Sequence, residues 1–358
     1  MNGVLIMAGG TGGHIFPGLA VARRLRAAKV PVVWLGTRQG LEARIVPAAQ
    51  ADIEMEWIAI GGVRGKGLVG WLLLPWRLAV AMLQAFRVLR RRRPRAVLSL
   101  GGFVAGPGGL VAWLTRTPLL IHEQNAIPGL TNRWLALLAD HVLCGFPAAF
   151  GEAARAQHVG NPVRPEIANL PPPGERLAGR TGPLRLLVVG GSQGARVFNE
   201  VLPQALRELA PAERPEVWHQ CGRDAEARVR QAYGEAPARV AEFIDDMAAA
   251  YAWADLVLCR AGAMTIAELA AAGVASILVP FPFAVDDHQT ANARFLEERA
   301  AAVRVPQSEL TAARLVGLLR QFASNRDVLY KMAEAARAAS VPDADETVAR
   351  LCLEAMRA

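Results

Sequence analysis

The sequence predicts an α/β protein made of two similar domains, and two matching segments about half a chain apart carry this prediction. Apolar residues 4–8 lead into Gly9-Gly10-Thr11-Gly12-Gly13, and residues 183–189 lead into Gly190-Gly191-Ser192-Gln193-Gly194. Each segment is typical of a buried parallel strand that ends in a glycine turn before a helix. Such turns let backbone N–H groups approach an anion at the positive end of the helix. We therefore expect an anion site in each domain.

The chain of 358 residues is long enough for two hydrophobic cores. We expect one domain over residues 1–162 and another over residues 163–341, with a turn-rich linker that begins near Val159. Residues from about 342 to 358 are predicted to fold back on the first domain. Because α/β folds bind ligands at the carboxyl ends of parallel strands, we expect both glycine loops to face one cleft.

Strands and helices are predicted to alternate through both domains. Residues 18–28 have an apolar face at helical spacing, residues 68–89 predict a longer apolar helix, and a last helix is predicted from about Asp345. Further apolar segments predict strands over 30–36, 96–100, 118–121, 140–144, 216–222, 239–244, 255–259 and 276–280, with a short last strand at Val303 and Val305.

Composition and charge indicate a globular protein with an anionic partner. The chain is 53% hydrophobic and 20% charged, with a formal net charge of +8. This excess favours a phosphorylated substrate, an acidic membrane or nucleic acid, but no basic and aromatic recognition pattern supports nucleic acid. The four cysteines are far apart, so we expect no zinc site, no disulfide and a reducing cytoplasm. The chain passes directly from Met1 into a strand, so we expect no signal peptide.

Residues 61–95 indicate contact with a membrane surface. A basic glycine-rich loop precedes the apolar helix, which carries Trp71, Leu74, Trp76 and Leu78, and the Arg87–Arg95 cluster follows. Pro75, which we expect to interrupt the helix, argues against a transmembrane span.

The polar residues of this helix fall on one narrow stripe. Arg77, Gln84, Arg87 and Arg91 lie within about 80° at helical geometry. A narrow polar stripe on a wide apolar helix favours a helix that rests on anionic lipid. The alternative is a helix packed on its own sheet with a solvated, arginine-rich end.

Polar side chains at strand ends are the candidate catalytic groups. His14 follows the first glycine loop, and His122-Glu123-Gln124-Asn125 follows the strand at 118–121. His14, Glu123 and His122 could each act as a general base toward a hydroxyl. The alternatives are a histidine satisfied at a helix start and a hydrogen-bonded loop that precedes a helix from about Gly129.

The second domain repeats the strand, turn and helix pattern at Arg260-Ala261-Gly262-Ala263-Met264-Thr265-Ile266-Ala267-Glu268. The pattern favours an anion, to which Arg260 adds a fixed charge. Thr265 and Glu268 also match a capping box, which is the structural alternative. Gln289 lies in a further polar loop, from Asp286 to Asn292, that follows another strand.

A nicotinamide cofactor is an alternative that the glycine loops raise. The dinucleotide fingerprint that starts at Gly10 fails at Ile15, and Arg38 stands where an acid would bind the ribose. Arg38 would suit a 2′-phosphate, so an NADP-dependent oxidoreductase is one alternative function. A non-enzymatic nucleotide-sensing peripheral membrane protein is the other.

Six motifs occur in order along the chain: Gly9-Gly10-Thr11-Gly12-Gly13-His14, Gly101-Gly102-Phe103-Val104-Ala105-Gly106-Pro107, His122-Glu123-Gln124-Asn125, Gly160-Asn161-Pro162-Val163-Arg164, Gly190-Gly191-Ser192-Gln193-Gly194-Ala195 and Asp287-His288-Gln289-Thr290-Ala291-Asn292. With this set the chain resembles the MurG family of bacterial glycosyltransferases, which add N-acetylglucosamine to lipid I to form lipid II in peptidoglycan synthesis. The ordered set spans nearly the whole chain and is far more specific than any one motif.

The resemblance implies two Rossmann-like domains facing a cleft, the GT-B type. It implies an inverting transfer of N-acetylglucosamine from UDP-N-acetylglucosamine to the C4 hydroxyl of the muramyl sugar of lipid I. The family works at the cytoplasmic face of the inner membrane, alongside other cell-wall synthesis proteins, and the membrane patch would map to Trp71–Arg93 and Trp113. Phe103 departs from the tyrosine that is common in the family.

The resemblance also implies a set of substrate-binding residues: Thr11, Gly12, Gly13, Asn125, Arg164, Ser192, Ile244, Arg260, Ala263, Met264, Thr265, Ile266, Ala267, Glu268 and Gln289. Ser192 and Arg164 would face the diphosphate, and Ile244 would contact uracil. Glu268 would bind the ribose and Gln289 the sugar. We expect no cofactor and no metal, since no Asp-x-Asp motif stands where a metal would bridge the diphosphate. Helix ends and arginines would replace it.

Overall fold

The computed structural model describes residues 3–61, 73–151, 155–191 and 194–357. The chain divides into two compact units. The first unit comprises Met1–Arg164 and Asp343–Ala358, and the second comprises Pro165–Pro342.

A parallel sheet of seven described strands forms the first unit. Its strands are β1 Val4–Ala8, β2 Val32–Gly36, β3 Glu54–Trp57, β4 Ala96–Gly101, β5 Leu119–Glu123, β6 His141–Cys144 and β7 Ala156–His158. The spatial order is β3-β2-β1-β4-β5-β6-β7, so the strand order reverses between β1 and β4. Ligands of doubly wound folds bind at this switch point, at the carboxyl ends of the strands.

Helices cover both faces of that sheet. They are α1 Gly12–Ala27, α2 Glu42–Ala49, α3 Leu74–Arg92, α4 Ala105–Leu114 and α5 Leu130–Leu135. Successive residues of β1 point to opposite faces of the sheet. Ile6 therefore packs in one core with residues of α1, whereas Leu5 and Met7 pack in another with residues of α3, α4 and α5.

The second unit repeats this plan with six described parallel strands. They are β8 Arg185–Val189, β9 Glu216–Gln220, β10 Ala238–Ala241, β11 Leu256–Cys259, β12 Ala275–Leu278 and β13 Ala302–Arg304. Their spatial order is β10-β9-β8-β11-β12-β13, with the switch point between β8 and β11.

The helices of the second unit are α6 Pro165–Ala168, α7 Pro173–Arg176, α8 Arg196–Glu208, α9 Glu226–Tyr233, α10 Met247–Trp253, α11 Ala263–Ala272, α12 His288–Glu297, α13 Ala312–Ser324 and α14 Arg326–Ala338. The last helix, α15 Ala344–Ala355, belongs to the first unit, where Val348 and Cys352 are buried against α1. The predicted return of the chain to its first half is confirmed.

The predicted strands are all present, whereas β3 and β7 were not predicted. Both are edge strands with polar residues, as in Glu-Met-Glu-Trp of β3, so a search for apolar segments does not detect them. Two helix predictions were wrong. Helix α1 begins at Gly12 and not at residue 18, and Pro75 does not interrupt α3. Pro75 lies in the first turn of α3, where the missing N–H has no intrahelical partner to lose.

Candidate functional site

The first glycine loop places His14 in the first turn of α1, at the carboxyl end of β1. Its Nδ1 lies 3.1 Å from the carbonyl oxygen of Gly9 and 3.4 Å from the hydroxyl oxygen of Thr11. A carbonyl oxygen only accepts hydrogen bonds, so Nδ1 carries the hydrogen and, in the neutral ring, Nε2 carries the lone pair. This tautomer suits a general base that acts through Nε2.

The loop after β4 packs against the same glycine loop. Gly102 has a φ of 85°, and a Cβ at this position would collide with the carbonyl oxygen of Gly9. A Cβ on Gly101 would lie 3.1 Å from Nε2 of His14. The absence of side chains at these two positions therefore lets the loops after β1 and β4 meet, with the imidazole beside Gly101.

A buried carboxylate that the sequence analysis did not identify holds this region together. Glu42 is fully buried, and its Oε2 accepts a hydrogen bond from the N–H of Gly10 at 3.1 Å. Its Oε1 accepts from the N–H and the hydroxyl of Thr37, both at 2.8 Å. Glu42 thus joins the loops that follow β1 and β2. No local motif marks it, because its partner Gly10 is 32 residues away.

His122 lies inside the first unit. It is fully buried, with Nε2 2.9 Å from the carbonyl oxygen of Gly160 and Nδ1 3.1 Å from Nε2 of Gln124. Burial lowers the pKa of His122. The ring therefore donates to one partner, accepts from the other and is held in its neutral form.

Glu123 is also enclosed, and its carboxylate orders the loop that carries Asn125. Oε1 accepts from the backbone and the side-chain nitrogens of Asn125 at 2.9 and 3.1 Å. Oε2 accepts from the N–H of Gly129 at 3.1 Å and from Nδ2 of Asn132 at 2.8 Å. These contacts match the alternative prediction, a hydrogen-bonded loop before a helix.

Arg164 is the last residue of the first of the two chain segments that form the first unit. Its guanidinium carbon lies 5.6 Å from the ring centroid of Phe16, within the range of a cation–π contact. Thr11 is exposed, and Gly12 and Gly13 are half-buried at the start of α1, whose first turn holds no acidic residue.

The glycine loop of the second unit approaches the end of β9 closely. Gly194 has a φ of 73°, and a Cβ there would collide with the carbonyl oxygen of Cys221. The N–H of Gly194 donates to the carbonyl oxygen of Gly191 at 2.8 Å, and α8 begins two residues later. Ser192, which the sequence analysis placed at the diphosphate, lies outside the described residues.

Helix α11 begins at the carboxyl end of β11, with Gly262 as its N-cap and no acidic residue in its first turn. The first-turn N–H groups, from Ala263 to Thr265, have no intrahelical acceptor and carry the positive end of the helix dipole. The capping-box prediction was wrong, because Thr265 lies inside the helix. Ile266 is buried and Ala267 is half-buried in the same helix.

Glu268 is 9% exposed and accepts a hydrogen bond from the hydroxyl of Tyr251 at 3.2 Å. This hydrogen bond connects the carboxylate to α10. Tyr251 is itself almost fully buried. No sequence pattern links these two residues, because their contact depends on the packing of α10 against α11.

Gln289 is tied to the start of α11. Its Oε1 accepts from the N–H groups of Ala261 and Phe281, at 3.2 and 2.9 Å. This arrangement fixes the orientation of the carboxamide. Its Nε2 makes no hydrogen bond to the described part of the chain, so it can donate to a ligand.

Arg260 is half-buried, and its guanidinium is used within the second unit. It donates to the carbonyl oxygens of Val279 and Pro280 at 3.2 and 3.3 Å and to Oε1 of Gln307 at 2.6 Å. Burial lowers the pKa of Arg260. Ile244 is also buried, in the loop between β10 and α10.

The outer face of α3 is a second candidate site. The helix buries Ala81, Ala85, Val88 and Leu89 against the sheet, and it exposes Trp76, Leu83 and Phe86 on the opposite side. Trp76 is 70% exposed. The outer face of a surface helix is normally polar, so an apolar outer face indicates a binding surface. In the same region Leu78 and Trp113 are exposed and Leu74 is half-buried, whereas Trp71 lies outside the described residues.

The predicted polar stripe of α3 lies on its flank, and two of its members, Gln84 and Arg91, contact the protein. Gln84 accepts from the N–H of Ala59 at 2.6 Å, and Arg91 and Arg92 both pair with buried Glu56. Arg91 nevertheless keeps a largely exposed side chain, so the prediction that the Arg87–Arg95 cluster meets lipid stays a prediction. Arg91 and Arg92 connect α3 to β3, and Arg87, Arg90 and Arg91 are exposed. No helix in the described ranges is long and apolar enough to span a bilayer.

Two family models together match most of the chain: the N-terminal domain of glycosyltransferase family 28 over residues 4–144, and its C-terminal domain over residues 185–348. The crystal structure of Acinetobacter baumannii MurG is 40% identical, covers 99% of this chain and 100% of that chain, and superposes with a TM-score of 0.85.

Curated relatives are similar over their full length. The UDP-N-acetylglucosamine–N-acetylmuramyl-(pentapeptide) pyrophosphoryl-undecaprenol N-acetylglucosamine transferase of Alkalilimnicola ehrlichii is 57% identical over 356 residues, 99% of both chains. The transferase of the same name from Nitrosococcus oceani is 56% identical over 353 residues, 98% of both chains. The predictions of two Rossmann-like domains and of a glycosyltransferase are confirmed, and neither the oxidoreductase nor the sensor finds support. The chain belongs to the MurG family of glycosyltransferases.

Proposed function

We propose that the protein transfers N-acetylglucosamine from UDP-N-acetylglucosamine to the C4 hydroxyl of the muramyl sugar of lipid I, which gives lipid II. The observation that carries this proposal is the carboxyl edge of the second sheet. There the open first turn of α11 adjoins the oriented carboxamide of Gln289, and the same helix carries the buried carboxylate of Glu268. An anion-binding helix end, a carboxylate acceptor and an amide donor are the groups that a nucleotide sugar requires.

In the second unit, we assign the ribose hydroxyls to Glu268 and the sugar to Gln289. A carboxylate accepts from both hydroxyls of a ribose, and Nε2 of Gln289 can donate to a sugar hydroxyl. The uracil base of the nucleotide would contact the backbone of Ile244. The start of α11, formed by Ala263, Met264 and Thr265, would enclose the nucleotide. The loop at Gly190 would receive the diphosphate, with Ser192 donating to it. Arg260 would act mainly through its charge, since three of its five N–H groups already donate within the second unit.

The first unit supplies the residues that act on the acceptor hydroxyl and on the sugar as it is transferred. His14 is the proposed general base, because Nδ1 donates to the Gly9 carbonyl and Nε2 carries the lone pair. As the hydroxyl oxygen bonds to the anomeric carbon, its proton passes to Nε2 and the bond to the UDP oxygen breaks. Thr11, Gly12, Gly13 and Asn125 would contact the sugar, and Arg164 would offset the charge of the departing diphosphate. This single displacement inverts the anomeric centre.

Glu123 and His122, the other two candidate bases that the sequence predicted, are proposed to position the loop around Asn125. The carboxylate of Glu123 already accepts four N–H donors, and both ring nitrogens of His122 have partners within the protein. Neither group has the accessible lone pair that a base needs.

The decisive experiment measures UDP release from UDP-N-acetylglucosamine with and without a lipid-linked muramyl-pentapeptide diphosphate acceptor. We expect UDP release that depends on the acceptor, and a disaccharide product with an inverted linkage. Thermal-shift measurements with UDP, UDP-N-acetylglucosamine and NADPH provide the control, and stabilisation is expected only from the two uridine nucleotides. Binding of UDP without transfer to any lipid-linked acceptor would contradict the proposal.

We also propose that the outer face of α3 holds the protein on the cytoplasmic surface of the inner membrane, where the lipid acceptor resides. The apolar side chains of Trp76, Leu83 and Phe86 would enter the interface, and Arg87 and Arg90 would meet anionic headgroups. No acidic residue lies in α3 to oppose this contact.

A further inference from the structure

Gln220 lies between two loops to which the proposed function assigns one nucleotide. It is the last residue of β9, and it pairs with Val189 of β8 on one side and with Ala241 of β10 on the other. The strands on both sides end beside it. The loop after Val189 is the glycine loop proposed for the diphosphate, here called the diphosphate loop. The loop after Ala241, here called the base loop, leads to Ile244, which is proposed to contact the uracil base.

The carboxamide of Gln220 binds both loops. Its Nε2 lies 2.9 Å from the carbonyl oxygen of Gly191 and 3.0 Å from the carbonyl oxygen of Glu242. The nitrogen has two hydrogens, so each loop takes one of them. The Gly191 carbonyl also closes the turn by accepting from the N–H of Gly194 at 2.8 Å. Gln220 therefore acts on the carbonyl that shapes the glycine loop.

The free-energy cost of burying the Gln220 side chain indicates that its bridge between the two loops has a function. Gln220 is 3% exposed, and its Oε1 is buried with no hydrogen-bond partner among the residues that the structure describes. A buried acceptor without a donor is unfavourable. An apolar side chain would avoid that cost, but it would leave both loop carbonyls without the donors that Nε2 supplies.

We propose that Gln220 is a positioning residue that couples the diphosphate loop to the base loop and sets the spacing at which a nucleoside diphosphate is recognised. This inference rests on the proposed function. Because one nitrogen serves both carbonyls, displacement of either loop weakens the bond to the other. A ligand group that orders one loop therefore lowers the cost of ordering the other, which is a coupling between two subsites.

Hydrogen exchange on the unaltered full-length protein tests the coupling directly. Pyrophosphate alone is expected to slow exchange at residues 242–246 as well as in the glycine loop, and uridine alone is expected to protect the glycine loop as well as residues 242–246. Protection confined to the loop that each ligand contacts would overturn the inference. This measurement needs no variant, so a folding defect cannot obscure it.

Variants test the chemistry of the bridge. Gln220→Leu removes both donors, and Gln220→Glu keeps the shape but offers no N–H. In both, the Kd for UDP is expected to rise about tenfold and the Kd for uridine at most about twofold. The KM for UDP-N-acetylglucosamine should rise about tenfold with kcat within about threefold of the parent. Gln204→Leu, the same change at an exposed site in α8, is the control.

A purely structural role for Gln220 would weaken UDP and uridine binding equally, and this result would overturn the inference. Retention of parental UDP affinity in Gln220→Glu would do the same. If the parent protein bound UDP and both variants matched it, the proposed function would stand and this inference alone would fail. If the parent bound neither UDP nor UDP-N-acetylglucosamine, the proposed function would fail and this inference with it.

Discussion

At the scale of single residues, the environment of each histidine determines what it can do. His14 keeps a half-buried ring at the mouth of a glycine loop, whereas His122 is enclosed and hydrogen-bonded at both nitrogens. Two residues with the same intrinsic chemistry are thus suited to different roles. The geometry favours proton transfer at His14 and the ordering of a loop at His122.

We predict that His14→Ala lowers kcat by a factor of at least about 100, because the acceptor hydroxyl then lacks a base. UDP binding should change little, since none of the proposed contacts to UDP involves the His14 side chain. Steady-state kinetics and calorimetric titration with UDP measure the two effects. His158→Ala, at the exposed edge strand β7, is the matched control. Retained turnover in His14→Ala would remove this residue as the base.

Burial of a third histidine predicts a pH dependence of stability. His219 is fully buried beside the Tyr233 hydroxyl, and burial lowers its pKa from 6.5 to about 4. As the pH falls through this range, the unfolded chain binds a proton that the folded chain does not, so the free energy of unfolding decreases. The full loss in the free energy of unfolding is about 3 kcal/mol, reached below pH 4. Well above pH 6.5 both states are unprotonated at His219, and no loss occurs.

We predict that His219→Gln removes most of the loss in the free energy of unfolding that His219 causes as the pH falls. Urea unfolding at pH 7.5 and pH 4.5 measures it, and the quantity to compare is the difference between the two pH values in each protein. His122, whose pKa burial also lowers, continues to contribute in the variant. Equal pH differences in parent and variant would show that His219 does not account for the effect.

At the scale of secondary-structure elements, α3 shows how one helix can serve both the core and a surface. One side packs small and branched residues on the sheet, and a flank is bound to β3 through Glu56. The contacts with β3 and the sheet hold the helix in place while its apolar outer face stays exposed.

We predict that Trp76→Glu combined with Leu83→Glu lowers binding to anionic vesicles by at least about tenfold, since two apolar anchors are replaced by charges that anionic lipid repels. Vesicle sedimentation measures binding, and turnover of a short-chain soluble acceptor should be retained. Tyr330→Glu, an exposed aromatic on α14 of the second unit, is the control. Unchanged vesicle binding would exclude this face as the membrane contact.

At the scale of the whole molecule, the chain leaves the first unit at Arg164 and returns to it at Asp343. Helix α15 contributes Val348, Leu351 and Cys352 to a core that β1 and α1 also line. Arg24 of α1 pairs with Asp345 at 2.7 Å, which places the start of α15. The stability of the first unit therefore depends on residues at both ends of the chain.

We predict that Leu351→Ala destabilises the first unit by about 2–4 kcal/mol, because it leaves a cavity between α15 and the sheet. Native-state hydrogen exchange should accelerate in β1 and remain unchanged in β8, whose core lies in the other unit. Arg350→Ala, an exposed change in the same helix, is the control. Equal acceleration in β1 and β8 would mean that the two units do not unfold separately.

The sequence by itself determined the duplicated α/β plan, the glycine loops, the apolar strands and the family, because these depend on residues that are neighbours in the chain. It also located His14 and the start of α11, since a strand followed by glycines and a helix is a local pattern. Tertiary structure alone decided the partners of Glu42, Gln220 and Glu268. Each of these polar groups is held by residues from other elements, and only the folded sheet brings them within hydrogen-bonding distance. The edge strands β3 and β7 and the orientation of α3 were also decided by tertiary structure. A polar strand is specified by the strand with which it pairs, and the exposed face of a helix by the elements that pack against it. Neither can be read from the spacing of apolar residues along the chain.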